Sequence, residues 1–161
     1  MTVAIAAEPS DPAARVLRRF RVVFNAVRTH FQQVEKTTGV GGTQLWALSV
    51  IDAHPGIGVS GLADALDVHQ STASNLLRVL AGRGLVTASR RGPDRRAVQL
   101  QLLAAGRAVL RRAPGPFAGV LSDALASLDA ETLARIDDDL GRLIARLNAD
   151  QDDAKRPLGP I

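Results

Sequence analysis

Residues 90–96, Arg-Arg-Gly-Pro-Asp-Arg-Arg, set four guanidinium groups against one carboxylate in seven positions. A guanidinium is a planar fork of donors that suits bidentate contact with a phosphate or with the edge of guanine. Upstream, Gln70, Ser71, Thr72, Ser74, Asn75 and Arg78 recur at helical spacing, which puts amide, hydroxyl and guanidinium groups on one face. Asn and Gln pair with adenine, Arg with guanine or phosphate, and hydroxyls at a helix N-terminus with phosphate. Such chemistry recognises a ligand and makes no bonds. Nothing resembles a Ser/His/Asp arrangement, a phosphate-cradling glycine loop or a carboxylate–histidine cluster, so an enzyme is not expected. Asp137, Asp138 and Asp139 point in three directions on a helix and read as a solvated face. His30, His54 and His69 lack the spacing of a metal site, and the chain has no cysteine. That excludes disulfides, thiolate-bound zinc and thiol redox chemistry, so neither a metal nor a cofactor is expected.

Composition sets the frame for these residues. The chain has 161 residues, 46% hydrophobic and 22% charged, which fits one folded domain with helical extensions. Aromatics are only 3%, so Leu, Val, Ile and Ala must build the core. The formal net charge is +4, a weak pull toward polyanions. Nearly every basic residue is Arg, with Lys only at 36 and 155. An Arg-, Ala- and Gly-rich composition also follows from a GC-rich genome, so position carries the argument. No apolar run is long enough to span a bilayer. Met1 to Pro9 lacks the basic start and apolar stretch of a signal peptide, and the expected location is the cytoplasm.

The elements that must position the polar residues can be read from periodicity. Ser10-Asp11-Pro12 starts a helix. Val16, Phe20, Val23, Val27, Phe31 and Val34 give it one apolar stripe to about Thr38. Gly39, Gly41 and Gly42 end it, and Thr43 is expected to cap a second helix that stops at His54-Pro55-Gly56. A short third helix runs from about Ser60, its expected cap, to Leu66. The turn Asp67-Val68-His69 leads to a fourth helix over about Gln70 to Gly82, with Ala73, Leu76, Leu77 and Leu80 inward. Leu85 to Ser89 is β-prone, and Val98, Leu100 and Leu102 alternate with polar residues. The Arg-rich segment is therefore the tip of a hairpin. Helix returns near Ala104, breaks at Pro114-Gly115-Pro116 and resumes near Phe117. Asp129 caps a last helix on which Leu133, Ile136, Leu140, Leu143 and Leu147 keep heptad spacing.

Short helix, tight turn, helix and basic hairpin, in that order, resemble the winged helix-turn-helix of the MarR family of bacterial regulators. The resemblance rests on Leu-Ala-Asp-Ala-Leu at 62–66, Gln-Ser-Thr-Ala-Ser at 70–74, Leu-Ala-Gly-Arg-Gly-Leu-Val at 80–86 and Asp-Arg-Arg at 94–96. Asp94, Arg96, Leu102 and Gly106 match the family's wing signature, whereas Leu103 stands where Thr is usual. With its flanking long helices, the likeness covers about residues 12 to 148. It implies a mainly α fold with a small β-hairpin wing: a winged helix-turn-helix lobe at 55–103, dimerisation helices at 12–38 and 117–148, and a flexible tail at 149–161. It also implies DNA contact from Gln70, Ser71, Thr72, Ser74, Asn75 and Arg78 on the fourth helix. In the wing, Arg91, Arg95 and Arg96 would touch DNA, Arg96 in the minor groove, while Asp94 shapes the loop.

Both end helices carry apolar stripes too long for the central module to cover, which predicts a homodimer. Opposite charge on the first helix (Arg15, Arg18, Arg19, Arg21, Arg28) and the last (Glu131, Asp137, Asp138, Asp139) suits their packing together. A two-fold pair would present recognition helices roughly 34 Å apart and read an inverted repeat in double-stranded DNA. The resemblance further implies a repressor released by a small-molecule effector, held between the dimerisation helices and the DNA-binding lobe. Phe24, Phe31, Trp46 and His54 are the candidate walls. The alternative is a winged-helix module that binds protein, against which the Arg-rich wing speaks.

Overall fold

Asp11 opens the first helix as expected: its carboxylate accepts from the amide N–H groups of Ala13 and Ala14, both at 3.2 Å, with Pro12 next in line. The computed structural model describes residues 11–89, 98–147 and 151–157. Helix α1 spans Pro12–Thr38, roughly 40 Å at the usual rise, and α2 spans Gly42–Ala53. Gly39 ends α1 at φ 73°, a left-handed conformation that glycine adopts without a Cβ clash, and its N–H donates to the Glu35 carbonyl at 2.8 Å. Thr43 does not cap α2. It lies buried inside the first turn, and Gly41 takes the cap position with its N–H directed to Oε1 of Gln44 at 3.4 Å.

Helices α3 (Val59–Ala65) and α4 (Gln70–Gly82) form the helix-turn-helix. Ser60 is likewise inside its helix, with Gly58 as the cap, because the chain enters α3 two residues earlier than the hydroxyl implies. Between the helices Asp67 sits at φ 48°, a region that Asp tolerates better than most residues. The fourth helix has the expected limits and buries Ala73, Leu76, Leu77 and Leu80.

Strands β1 (Val86–Ser89) and β2 (Gln99–Leu102) pair antiparallel, Val86 opposite Leu102 and Ser89 opposite Gln99. The α2–α3 connection holds the hairpin's other edge, since the Gly56 N–H donates to the Leu100 carbonyl and the Leu100 N–H to that of Ile57, at 2.8 and 3.0 Å. Helix α5 (Ala104–Arg112) follows at once. Leu103 occupies its N-cap without a side-chain bond, so α5 starts where a Thr cap would place it but lacks that hydroxyl. The core beneath these elements is aliphatic. Leu45, Leu48, Ile51, Leu62, Leu66, Leu76, Leu80 and Leu100 are almost wholly excluded from solvent, each contributing about 1.5–3 kcal/mol by burial.

The region expected to supply dimerisation helices at 117–148 holds α6 (Val120–Ala126), which starts three residues later than the sequence suggests, and α7 (Ala130–Leu147). Asp129 marks the break, accepting from the Thr132 N–H at 2.9 Å and its hydroxyl at 2.8 Å. No residue of α7 is buried. Three of its acidic groups pair along their own helix: Arg142 lies 2.8 Å from Asp138 and 3.6 Å from Asp139, and Arg135 lies 3.8 Å from Glu131. The segment expected as a loose tail contains a 3-10 helix at Gln151–Lys155. Among the described residues, no helix is long and apolar enough to cross a membrane.

Candidate nucleic-acid interface

The buried face of α4 decides what its other face can do. Because Ala73, Leu76, Leu77 and Leu80 turn into the core, Gln70, Ser71, Ser74, Asn75 and Arg78 turn out and are exposed, with Thr72 half-buried at the flank. Within this set one bond is already made: Nη2 of Arg78 donates to Oδ1 of Asn75 at 2.8 Å. His69 holds the N-cap position without a side-chain bond. The first amide N–H groups of α4 therefore have neither an intrahelical acceptor nor a cap side chain, and they lie beside Ser71 and Thr72, an arrangement suited to a phosphate.

Beside α4 the hairpin forms a shallow apolar groove, where Ser74 and Arg78 meet Val59, Val86, Ala88 and Val98. The described strands of the hairpin therefore pack against α4. Arg90, Arg91, Asp94, Arg95 and Arg96, expected from the sequence at the base and tip of the hairpin, lie outside the described residues. Gly106 helps seat the hairpin. A Cβ there would collide with the Leu85 carbonyl oxygen and the Leu102 side chain, so only glycine lets α5 pass so close to β1 and β2.

A separate cavity of about 200 Å³ opens where α1, α2, the helix-turn-helix turn and the α5–α6 connection meet. Of the four candidate wall residues, Phe31 and Trp46 line it, joined by Leu66, Val68 and Phe117. Phe24 does not reach it. It stands exposed on α1, stacked on Phe20 with ring centroids 6.2 Å apart, because it lies two turns from Phe31 toward the free end of the helix. His54 is also absent from this lining: it is the exposed C-cap of α2, at the opposite end of that helix from Trp46's neighbours Gly42 and Thr43. Sequence reasoning missed Phe117, Ser122 and the C-terminal residues Ala154, Arg156 and Pro157, which complete the lining. Lining from a distant segment leaves no local periodic signal. Among the described residues, no group of His, Asp or Glu is placed to hold a metal ion.

Helix-turn-helix, paired strands and helical flanks define a winged-helix protein. Residues 38–97 match the model of the MarR family, and that segment is similar to the family's winged helix. Solved structures agree with the fold beyond it. MepR of S. aureus, in a complex with DNA, shares 20% identity and a TM-score of 0.57, over 83% of this chain and 95% of that one. The transcriptional regulator MosR of M. tuberculosis, also in complex with DNA, shares 26% identity at a TM-score of 0.54, covering 83% of this chain and 98% of its own. PcaV of Streptomyces coelicolor, a transcriptional regulator in complex with its natural ligand, is 23% identical at a TM-score of 0.53, with 91% and 100% covered. Among curated proteins none matches the sequence.

Proposed function

We propose that this protein is a DNA-binding transcriptional regulator that reads an inverted repeat as a homodimer. The observation that carries the reading is the exposed face of α4, where Gln70, Ser71, Ser74, Asn75 and Arg78 stand clear of a fully apolar buried face. A helix of this kind enters the major groove and reads base edges there. The Arg-rich segment between β1 and β2 supplies the second set of contacts in this reading, with Arg91, Arg95 and Arg96 at the backbone and minor groove and Asp94 as the residue that shapes the loop. MepR and MosR, similar in fold, are each in complex with DNA, which supports the same use of this surface. Residues 12–38 and 117–148 supply the dimer contact, through α1, α6 and α7.

The finer reading is a repressor that a small molecule releases. PcaV, similar in fold, is in complex with its natural ligand, and the cavity lined by Phe31, Trp46 and Phe117 is the place we propose for a ligand here. It adjoins both α1 and the turn that leads into α4, so an occupant acts on the recognition helix and the dimer helices together.

Genomic fragments selected on the immobilised protein, then titrated by fluorescence anisotropy across a salt series, test the DNA reading. A selected site with two-fold symmetry is expected, bound about a thousandfold or more tighter than random DNA. Arg96→Ala should lower affinity for all sequences and reduce the salt slope by about 0.9 for each phosphate that is no longer neutralised. Enrichment of no sequence, with equal weak binding to every fragment, would instead favour a winged helix that docks on protein.

A further inference from the structure

Arg83 ends the recognition helix. It is the C-cap of α4, and its backbone N–H turns back to the carbonyls of Val79 and Ala81. Its side chain leaves the helix-turn-helix. Nη2 donates to the Gly39 carbonyl at 2.7 Å, and Nη1 donates to Oε1 of Gln44 at 3.4 Å. Gly39 is the C-cap of α1, where unpaired carbonyls give the helix end a partial negative charge that attracts a cation. Gln44 is buried in the first turn of α2, and the same Oε1 accepts from the Gly41 N–H. One guanidinium thereby joins the end of α1, the start of α2 and the end of α4.

We propose that Arg83 is a positioning residue: it sets the angle at which α4 hangs from α1, and with it the half-site spacing that a two-chain assembly accepts. The proposal rests on the DNA reading above and names what regulates its geometry. Burial between these elements is strong but non-directional, so apolar packing alone leaves small rotations about the α1–α2 junction nearly equal in energy. A short charge-assisted bond has a direction. Placed at the junction, it selects one rotation, and an error there is carried along the roughly 40 Å of α1. The cavity touches the same junction through Phe31, Gly42 and Thr43, so a ligand that displaces the start of α2 pulls on the group Arg83 holds.

Two measurements test this. The chain has no cysteine, so Arg21→Cys on α1 and Ser71→Cys on α4 give a clean spin-labelled pair. Diluted into unlabelled protein, the pair reports the α1–α4 distance within one chain by pulsed electron resonance, with no DNA present. Arg83→Ala should broaden that distance distribution while the helical circular dichroism stays unchanged. Arg83→Lys should restore most of the sharpness, because an ammonium reaches the same carbonyl. In the second measurement, duplexes carry the selected half-sites at varied spacing. The parent should prefer one spacing by about tenfold over a shift of one base pair; Arg83→Ala should flatten the preference and leave random-DNA binding unaltered. An Arg83→Ala distribution and spacing profile identical to the parent's overturn the proposal. Should Arg83→Ala fail to fold, Arg83→Gln, which keeps much of the stem, is read in its place with the same two outcomes. A parent that binds no DNA overturns the DNA reading, and the distance measurement alone then decides whether Arg83 positions α4.

Discussion

With Arg78 Nη2 2.8 Å from its Oδ1, Asn75 keeps its amide N–H donors for an external partner and has one of the two lone pairs on its acceptor engaged. A bidentate contact with adenine needs both edges of the amide. The pair opens on binding, or Asn75 contacts a purine while Arg78 stays on the remaining lone pair of its Oδ1. In both cases the two side chains act as one unit. Asn75→Ala and Arg78→Ala should each weaken binding to the selected site by about 1–3 kcal/mol. The double variant should lose less than the sum, with a coupling of at least about 0.5 kcal/mol. Titration of the single and double variants on the selected site checks this. Strict additivity would show that the two side chains work independently. Gln70→Ala should weaken binding to the specific site and change random-DNA binding little, which separates base reading from phosphate contact.

At the scale of elements, the lobe depends on close approach and on helix ends. Gly106 lies where α5 passes the Leu85 carbonyl and Leu102. Gly106→Ala must push α5 off the hairpin, an overpacking cost of about 1–3 kcal/mol. Urea unfolding should show the drop in stability, and an unchanged midpoint would mean that α5 moves freely. At the other end of the chain, Asp129 holds the first turn of α7. The Thr132 backbone N–H, then its hydroxyl, keeps the carboxyl pKa below its ordinary 3.8. A carboxylate whose folded-state pKa is depressed stabilises the fold above the unfolded value, and that contribution is lost as pH falls through the folded one. The stability difference between the parent and Asp129→Ala should therefore be constant from neutral pH down to about 5 and shrink below about 4. Thermal melts across that range measure it; a difference that grows on acidification would reverse the sign of this argument.

For the whole molecule, the unanswered surface is on the end helices. Phe24 is 63% exposed, Leu143 39% and Leu147 66%, and α7 buries no residue within its own chain. Apolar stripes of this length on two helices need a partner, and a second copy offers the same stripes by two-fold symmetry. The mass by light scattering should be twice 17.0 kDa at micromolar concentration. Leu143→Glu should weaken the dimer by about 2–3 kcal/mol, roughly a hundredfold, without a drop in helix content. A parent that sediments as a monomer would refute the assembly and, with it, the reading of an inverted repeat by paired lobes.

What the amino-acid sequence determined by itself is what local physics controls. The Asp11 and Asp129 caps, the limits of α4, its inward Ala73, Leu76, Leu77 and Leu80, the alternation that makes β2 and the left-handed Gly39 each follow from residues within a few positions of one another. Caps read by residue type alone were less secure. Ser60 and Thr43 suit a cap chemically, yet the tertiary path brings the chain into each helix earlier and leaves Gly58 and Gly41 at the ends. Only the tertiary structure decided which residues meet across distance. Phe31 and Trp46 reach the cavity while Phe24 and His54 do not, because a helix stripe gives a face but not the height at which a neighbour crosses it. Arg83 is the clearest case. In sequence it is one basic residue between two glycines; its role comes from the Gly39 carbonyl 44 positions away, and no local pattern records a hydrogen bond whose partner is brought near only when α1, α2 and α4 have packed.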